Sequence, residues 1–380
     1  MTNPLLELKA LGQSVWLDDI DRGQLRSGAF GRLIEQDGLT GATGNPTIFE
    51  HSITHDTTYD EQMQQLLREG KAPKEIYEAL AMTDERMVAD LLRPTYDRTD
   101  GQDGFVSIEV SPYLAQNKEG TLSEVRRFWQ TIDRPNLMVK IPSTPAGIPA
   151  IRQAIASGIN INITLIFSRE NYRQVAEAYL DALEERLAVG KDISHIASVA
   201  SFFVSRVDVL VDQLLENKRK ATGDHAEQQK LKALLGQAAI GNARLAYQEF
   251  KGLFNTSRFE ALKQRGAHVQ RPLWASTGAK NPAYRDVLYV EELIGPDTVN
   301  TMPLKTLESF RDHGRVRLSI EENLSQAQAD LAALEEVGIH YDQVTRQLQE
   351  EGVQKFIDSF QKLFQCIESK QHVLRSQEYP

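Results

Sequence analysis

Cysteine is almost missing: Cys366 is the only one in 380 residues. A single thiol excludes an intrachain disulfide and a cysteine-built zinc site, and it fits a reducing compartment. Long apolar runs are missing too. The longest uncharged stretch, Gln153 to Ser168, is short and carries Gln153, Ser157, Asn160, Asn162 and Thr164, so it is no membrane span. Met1 to Asp18 has no basic segment followed by an apolar core, so no secretory signal is expected there. Positive charge is in deficit. A formal net charge of −10 argues against a nucleic-acid role, while leaving room for local basic sites that take anionic substrates. No Gly-x-Gly-x-x-Gly follows a strand, which removes local support for a dinucleotide-binding fold. His51 and His55 stand four apart but in a polar loop segment without a suitable acid, so no metal is expected. The expectation is a cytoplasmic protein with neither a nucleic-acid nor a membrane partner. Its oligomeric state is left open, with a homodimer as one candidate.

What is present is alternation. Short apolar strands are expected at Ser14–Leu17, Gly38–Thr43, Phe105–Val110, Leu137–Ser143, Ile159–Phe167, Ile193–Phe203, Pro272–Gly278 and Thr298–Pro303. Helical patterns separate most of them. Tyr59 to Leu92 reads as one helical stretch ended by Pro94, and Thr121–Ile132 as a helix capped by Thr121 or Ser123. Ser168 reads as the cap of the next long helix, and Asn217 to Glu227 as a charged surface excursion. Two closing helices are expected at Glu321–Val337, begun by Ser319, and Tyr341–Ile367. Eight strand-helix units imply a parallel sheet closed as a (β/α)8 barrel, with an open doubly wound sheet as the alternative. The expected organisation is one barrel domain over residues 1–380, with helical insertions near 55–95 and 215–265 and C-terminal helices over 321–367.

The chemistry gathers around Leu137-Met138-Val139-Lys140-Ile141-Pro142-Ser143, a strand apolar on both faces with one lysine inside it. Lysine is rarely buried without a function or a partner. Desolvation disfavours the charged form, and a neutral amine attacks carbonyls to give a Schiff base. The plainer reading is a strand-end lysine that reaches water or pairs with a carboxylate. Its neighbours favour the chemical reading. Asp18, Asn45, Glu109, Thr164, Ser201 and Ser276 all fall near the C-terminal ends of expected strands, where barrel enzymes build their sites. In Ile159–Phe167 apolar and polar residues alternate as far as Thr164, so Asn160, Asn162 and Thr164 share one face. Arg206 opens the helix after the sixth strand and Lys280 follows Gly278, two candidates for an anion. Asp19 reads as a helix N-cap.

At these residues the sequence resembles the transaldolase family over nearly the whole chain. The motifs that carry the resemblance are Thr43-Gly44-Asn45-Pro46-Thr47, Met138-Val139-Lys140-Ile141-Pro142-Ser143-Thr144 and Gly158-Ile159-Asn160-Ile161-Asn162-Ile163-Thr164-Leu165-Ile166-Phe167-Ser168. Trp16-Leu17-Asp18-Asp19, Trp274-Ala275-Ser276-Thr277-Gly278 and Tyr289-Val290-Glu291-Glu292-Leu293-Ile294-Gly295 look like the longer bacterial form, which also occurs fused to phosphoglucose isomerase. The resemblance implies a circularly permuted class I aldolase barrel with no cofactor. It implies a Schiff-base transferase that moves a dihydroxyacetone unit between sugar phosphates in the non-oxidative pentose phosphate pathway. Donors would be sedoheptulose 7-phosphate or fructose 6-phosphate, and acceptors glyceraldehyde 3-phosphate or erythrose 4-phosphate.

By the same resemblance Lys140 is the Schiff-base lysine and Asp18 the general acid/base. Glu109 and Thr164 hold the catalytic water. Asn45, Asn162 and Ser201 contact the dihydroxyacetone unit, Phe203 lines the pocket, and Arg206 and Ser276 bind phosphate. Two departures stand out. The family's usual Thr-Thr-Asn-Pro is here Thr43-Gly44-Asn45-Pro46, which removes a hydroxyl beside Asn45. A second phosphate-binding arginine has no clear match, and Lys280 is the residue expected to replace it, as a point charge. The rival readings are a simple aldolase of the same superfamily, against which Glu109 argues because those relatives carry glutamine there, a silent sugar-phosphate-binding barrel, and a metal-dependent aldolase.

Overall fold

The computed structural model describes residues 3–44, 49–50, 52–53 and 57–378. Eight strands close one parallel barrel in chain order: β1 (Gln13–Leu17), β2 (Gly41–Thr43), β3 (Phe105–Glu109), β4 (Leu137–Pro142), β5 (Ile161–Ile166), β6 (Ser198–Phe203), β7 (Arg271–Ala275) and β8 (Thr298–Met302). Closure is made by β1 on β8, in register from Gln13 opposite Thr298 to Leu17 opposite Met302. The strands are buried almost throughout, as a parallel sheet covered by helices requires, which is why they read as short apolar runs. The open-sheet alternative is thereby excluded.

The strands are shorter than the sequence suggests where a turn intrudes. Gly38 is not in β2: it ends the helix Ala29–Asp37 in the left-handed conformation, at φ 70°. Gly41 is demanded by packing, since a Cβ there would lie 2.3 Å from the indole ring of Trp16. Several helix boundaries differ as well. The stretch from Tyr59 is two helices, Asp60–Arg68 and Pro73–Arg98, and Pro94 lies inside the second. Proline costs that helix one N–H, but buried Thr95 and Tyr96 hold its last turn against the barrel. Asn117, not Thr121 or Ser123, caps Lys118–Ile132, accepting from Gly120 N at 3.0 Å. Asn217 to Ala221 continues the helix Ser205–Ala221 rather than leaving it. Ser319 does not begin a helix; its hydroxyl donates to the Glu291 carbonyl at 2.6 Å, and the helix runs Leu324–Glu336.

Two ends of the barrel matter for function. At the N-terminal end, Asp103 collects Ser14 Oγ at 2.5 Å, Trp16 Nε1 at 3.0 Å and Arg271 at 3.4 Å, while Arg271 also donates to Ser14 Oγ at 2.6 Å. That network ties β1 and β7 to the turn before β3. At the C-terminal end the last helix, Tyr341–Glu378, lies across the mouth. Gln349 Nε2 reaches the carbonyl oxygens of Ser143 and Leu165, each at 3.2 Å. Gly352 packs on Leu165 so closely that a Cβ would meet its Cδ2 at 2.8 Å. Leu165 itself has φ 59°, at a register shift between Ile163 and Ile166 in β5. The period-two alternation ends at Thr164 for this reason, because the bulge turns the chain before the strand finishes.

Candidate active site

Register assembles the centre of the site. Glu109 on β3 is opposite Lys140 on β4, and Lys140 is opposite Asn162 on β5. Residues opposite one another on neighbouring parallel strands point the same way, so these three side chains enter the barrel together. Lys140 Nζ lies 3.2 Å from Glu109 Oε2, with side-chain exposures of 10% and 6%. The contact is an ion pair whose angle leaves Glu109 Oε2 without a well-directed hydrogen-bond donor. Burial pushes the Glu109 carboxyl above the usual range, opposed chiefly by the charge of Lys140 and raised further by Asp18.

Asp18 emerges where β1 ends, with its N–H donating to the Met302 carbonyl at 2.8 Å. Its Oδ1 accepts from Thr43 Oγ1 at 2.8 Å, and Thr43 lies 3.0 Å from the Thr301 hydroxyl. Neighbouring Asp19 is not the helix cap that its position suggests. Asp21 caps Arg22–Arg26 by accepting from Gln24 N at 2.9 Å, and Asp19 Oδ1 has no partner among the described residues. Burial, then the charges of Asp21 and Asp18, raise Asp19 to about 6.

Ser201 donates to Asn162 Oδ1 at 2.7 Å, and Asn162 donates to Ser107 Oγ at 3.1 Å. This fixes the amide's orientation and leaves one N–H and one lone pair for a ligand. Thr164 is fully buried, and its hydroxyl has no partner among the described residues.

The other end of the site is cationic. Arg206, mostly buried, sits over the Phe203 ring at 5.2 Å, and its Nη1 has no partner among the described residues. Burial lowers its pKa, against the charges of Asp18, Glu109 and Glu351; a guanidinium stays charged regardless. Ser276 adopts φ 57°, and its hydroxyl lies 2.9 Å from that of Ser205. Lys280 is exposed at the rim.

A chamber of about 200 Å³ joins these groups. Asp18, Glu109, Lys140, Ser201, Phe203, Arg206, Ser276 and Lys280 line it, so eight residues singled out from sequence meet in one place. Asn162, bonded to the lining residue Ser201, is buried behind the wall, and Thr164 is buried outside the lining. Asn45 lies outside the described residues. Sequence reasoning missed Thr43, Thr301 and Phe356, which also line the chamber. Thr301 is on β8 near its end, so the strand-end rule would have found it. Phe356 comes from the C-terminal helix, with its ring centroid 5.8 Å from Lys140 Nζ. The helical region after Gln228, by contrast, does not line the chamber.

The arrangement offers an amine, two carboxylates for proton transfer and a mostly buried guanidinium stacked over an aromatic ring. Comparison with known proteins gives the same direction. Residues 15–367 match the family described as transaldolase/fructose-6-phosphate aldolase. A transaldolase of Trichodesmium erythraeum is 45% identical over 372 residues, covering 97% of this chain and 98% of that one. Transaldolase 2 of Nostoc punctiforme is 47% identical over 98% of this chain and 99% of its own. A transaldolase of Acidothermus cellulolyticus is 48% identical over 97% and 96%.

Proposed function

The chain belongs to the transaldolase/fructose-6-phosphate aldolase family and is a transferase of the transaldolase class, and from that premise we propose how its own residues divide the reaction. Lys140 attacks the ketone of fructose 6-phosphate or sedoheptulose 7-phosphate. For this Glu109, at 3.2 Å, first takes a proton from the Lys140 ammonium to free the amine, and it later gives that proton to the carbinolamine hydroxyl, which leaves as water to give the Schiff base. The water is held between Glu109 and the unpartnered hydroxyl of Thr164. Asp18 then accepts the hydroxyl proton of the carbon-carbon bond that breaks. An aldose leaves and an enamine stays on Lys140. The enamine attacks the aldehyde of an aldose phosphate, Asp18 returns its proton, and hydrolysis frees the new ketose.

Asn162 and Ser201, with Asn45, hold the three-carbon unit. Arg206, Ser276 and Lys280 hold the phosphate, with Arg206 as the main partner because its Nη1 is desolvated and unpaired. Phe356 shields the enamine, which protonation by water would discharge as free dihydroxyacetone. No described helix is long and apolar enough to cross a membrane. We place the enzyme in the cytoplasm, on its sugar-phosphate chemistry and its single cysteine.

The observation that carries this reading is the ion pair of a buried lysine and a buried glutamate in a chamber with a mostly buried arginine at its other end. Borohydride reduction in the presence of fructose 6-phosphate tests it. The expected result is a reduced three-carbon adduct, located on Lys140 by peptide mapping. Bound sugar phosphate with no adduct would refute the mechanism.

A further inference from the structure

Behind the chamber lies a buried carboxyl that the reaction as drawn does not use. Glu85, in the middle of helix Pro73–Arg98, is 3% exposed, and its Oε2 has no hydrogen-bond partner among the described residues. It borders a separate cavity of about 20 Å³, enough for one water molecule. Glu109 and Gly44 border both this cavity and the catalytic chamber, so they form the wall between the two.

Gly44 and Glu85 are a matched pair. A Cβ on Gly44 would lie 2.8 Å from Glu85 Oε1, so no side chain at 44 fits while Glu85 keeps its place. The glycine that removes a hydroxyl from the motif around Asn45 is what admits a carboxyl from another element. A buried carboxylate with no donor is costly, and a buried carboxylic acid is far less so. Burial and the charge of Asp84 push Glu85 up to about 8, with Lys140 opposing. Asp84, its neighbour on the same helix, is neutralised by Arg22 at 2.6 Å and by the Tyr59 hydroxyl at 2.9 Å. The charged and titratable groups facing Glu85 are therefore Asp84 and Tyr77 from its own helix, Glu109 from β3 and Lys140 from β4.

We propose that Glu85 is a positioning residue for Glu109: as a neutral acid it donates to the water in the shared cavity, and that water donates to the Glu109 carboxylate. This rests on the role given above to Glu109. The hydrogen-bonded water keeps Glu109 ionised and aimed at Lys140, ready for the proton shed during Schiff-base formation. Ionised Glu85 does the opposite. It has no proton to give the shared water, so Glu109 loses the hydrogen bond that aims it at Lys140 and the proton transfer slows.

The test is the rate of borohydride-trappable adduct formation on Lys140 with fructose 6-phosphate, followed from pH 6 to pH 9.5. In the native enzyme the rate should fall as pH rises through about 8, the value to which Glu85 is raised. Glu85→Gln, neutral at every pH and still able to donate to the water, should match the native rate below that range and show no fall up to pH 9.5. An unchanged limb in the variant would overturn the proposal. No adduct at any pH in the native enzyme would instead overturn the Lys140 reading itself. Gly44→Ala gives a check independent of how well Glu85→Gln folds. It should slow adduct formation roughly tenfold in the native background and less than about twofold in Glu85→Ala, the non-additivity expected of residues in contact. Additive effects would sever the pair and refute the inference.

Discussion

The two ends of this barrel treat buried charge in opposite ways. At the N-terminal end Asp103 is surrounded by donors from Ser14, Trp16 and Arg271. At the C-terminal end Glu109 Oε2 has only its ion pair with Lys140, and Glu85 Oε2 and Arg206 Nη1 have no hydrogen-bond partner among the described residues. Bonds made inside the fold hold it together, whereas polar atoms left unpaired are available to substrate, water and transition state. The C-terminal end thus gives up stability to keep its groups available, and the N-terminal end supplies rigidity under it.

Substitutions can break that contrast. Lys140→Ala should lower kcat by on the order of 10⁴-fold or more, since the covalent route is lost, with sugar-phosphate binding retained by calorimetry. Asp103→Ala should cost about 3–5 kcal/mol of stability in denaturant unfolding, because Arg271 and Trp16 lose their partner, while kcat per folded molecule stays within about twofold. Arg206→Ala should raise KM for the sugar phosphate by roughly 30- to 100-fold, the worth of a desolvated charge-assisted contact, and leave the melting temperature nearly unchanged. Phe356→Ala should raise the share of turnovers that release free dihydroxyacetone by about three- to tenfold, read by product analysis with an aldose acceptor present. Lys280→Ala should change KM least, by about two- to fivefold, and the effect should fade with added salt because the lysine is exposed. Should Asp103→Ala disable catalysis as thoroughly as Lys140→Ala in folded protein, the division between the two ends would be wrong.

The sequence was most legible where one strand explains one residue. A parallel strand buried on both faces is a short apolar run, and a polar residue at its end has few reasons to be there. Asp18, Glu109, Lys140 and Ser201 were found that way, and all line the chamber. Helix positions carry no such signal. Glu85 reads as one more acid on an amphipathic helix, and only the fold turns it inward. Phe356 is far along the chain from every strand and reaches Lys140 because the last helix crosses the mouth. Local rules also lost to packing at Pro94, inside a helix that buried neighbours keep whole, and at Asp19, where Asp21 took the cap.

The closure of β1 on β8 and the placement of the last helix also set an order of events in the making of the molecule. Gln13 emerges from the ribosome well before Thr298, its partner in the ladder, and must wait for it. Until then the growing sheet has bare edges, the condition that favours mispairing and chaperone capture. Phe356 emerges later still. The ring that lies over Lys140 is thus synthesised after every strand residue beneath it, and the nascent barrel holds its buried lysine before it has a roof.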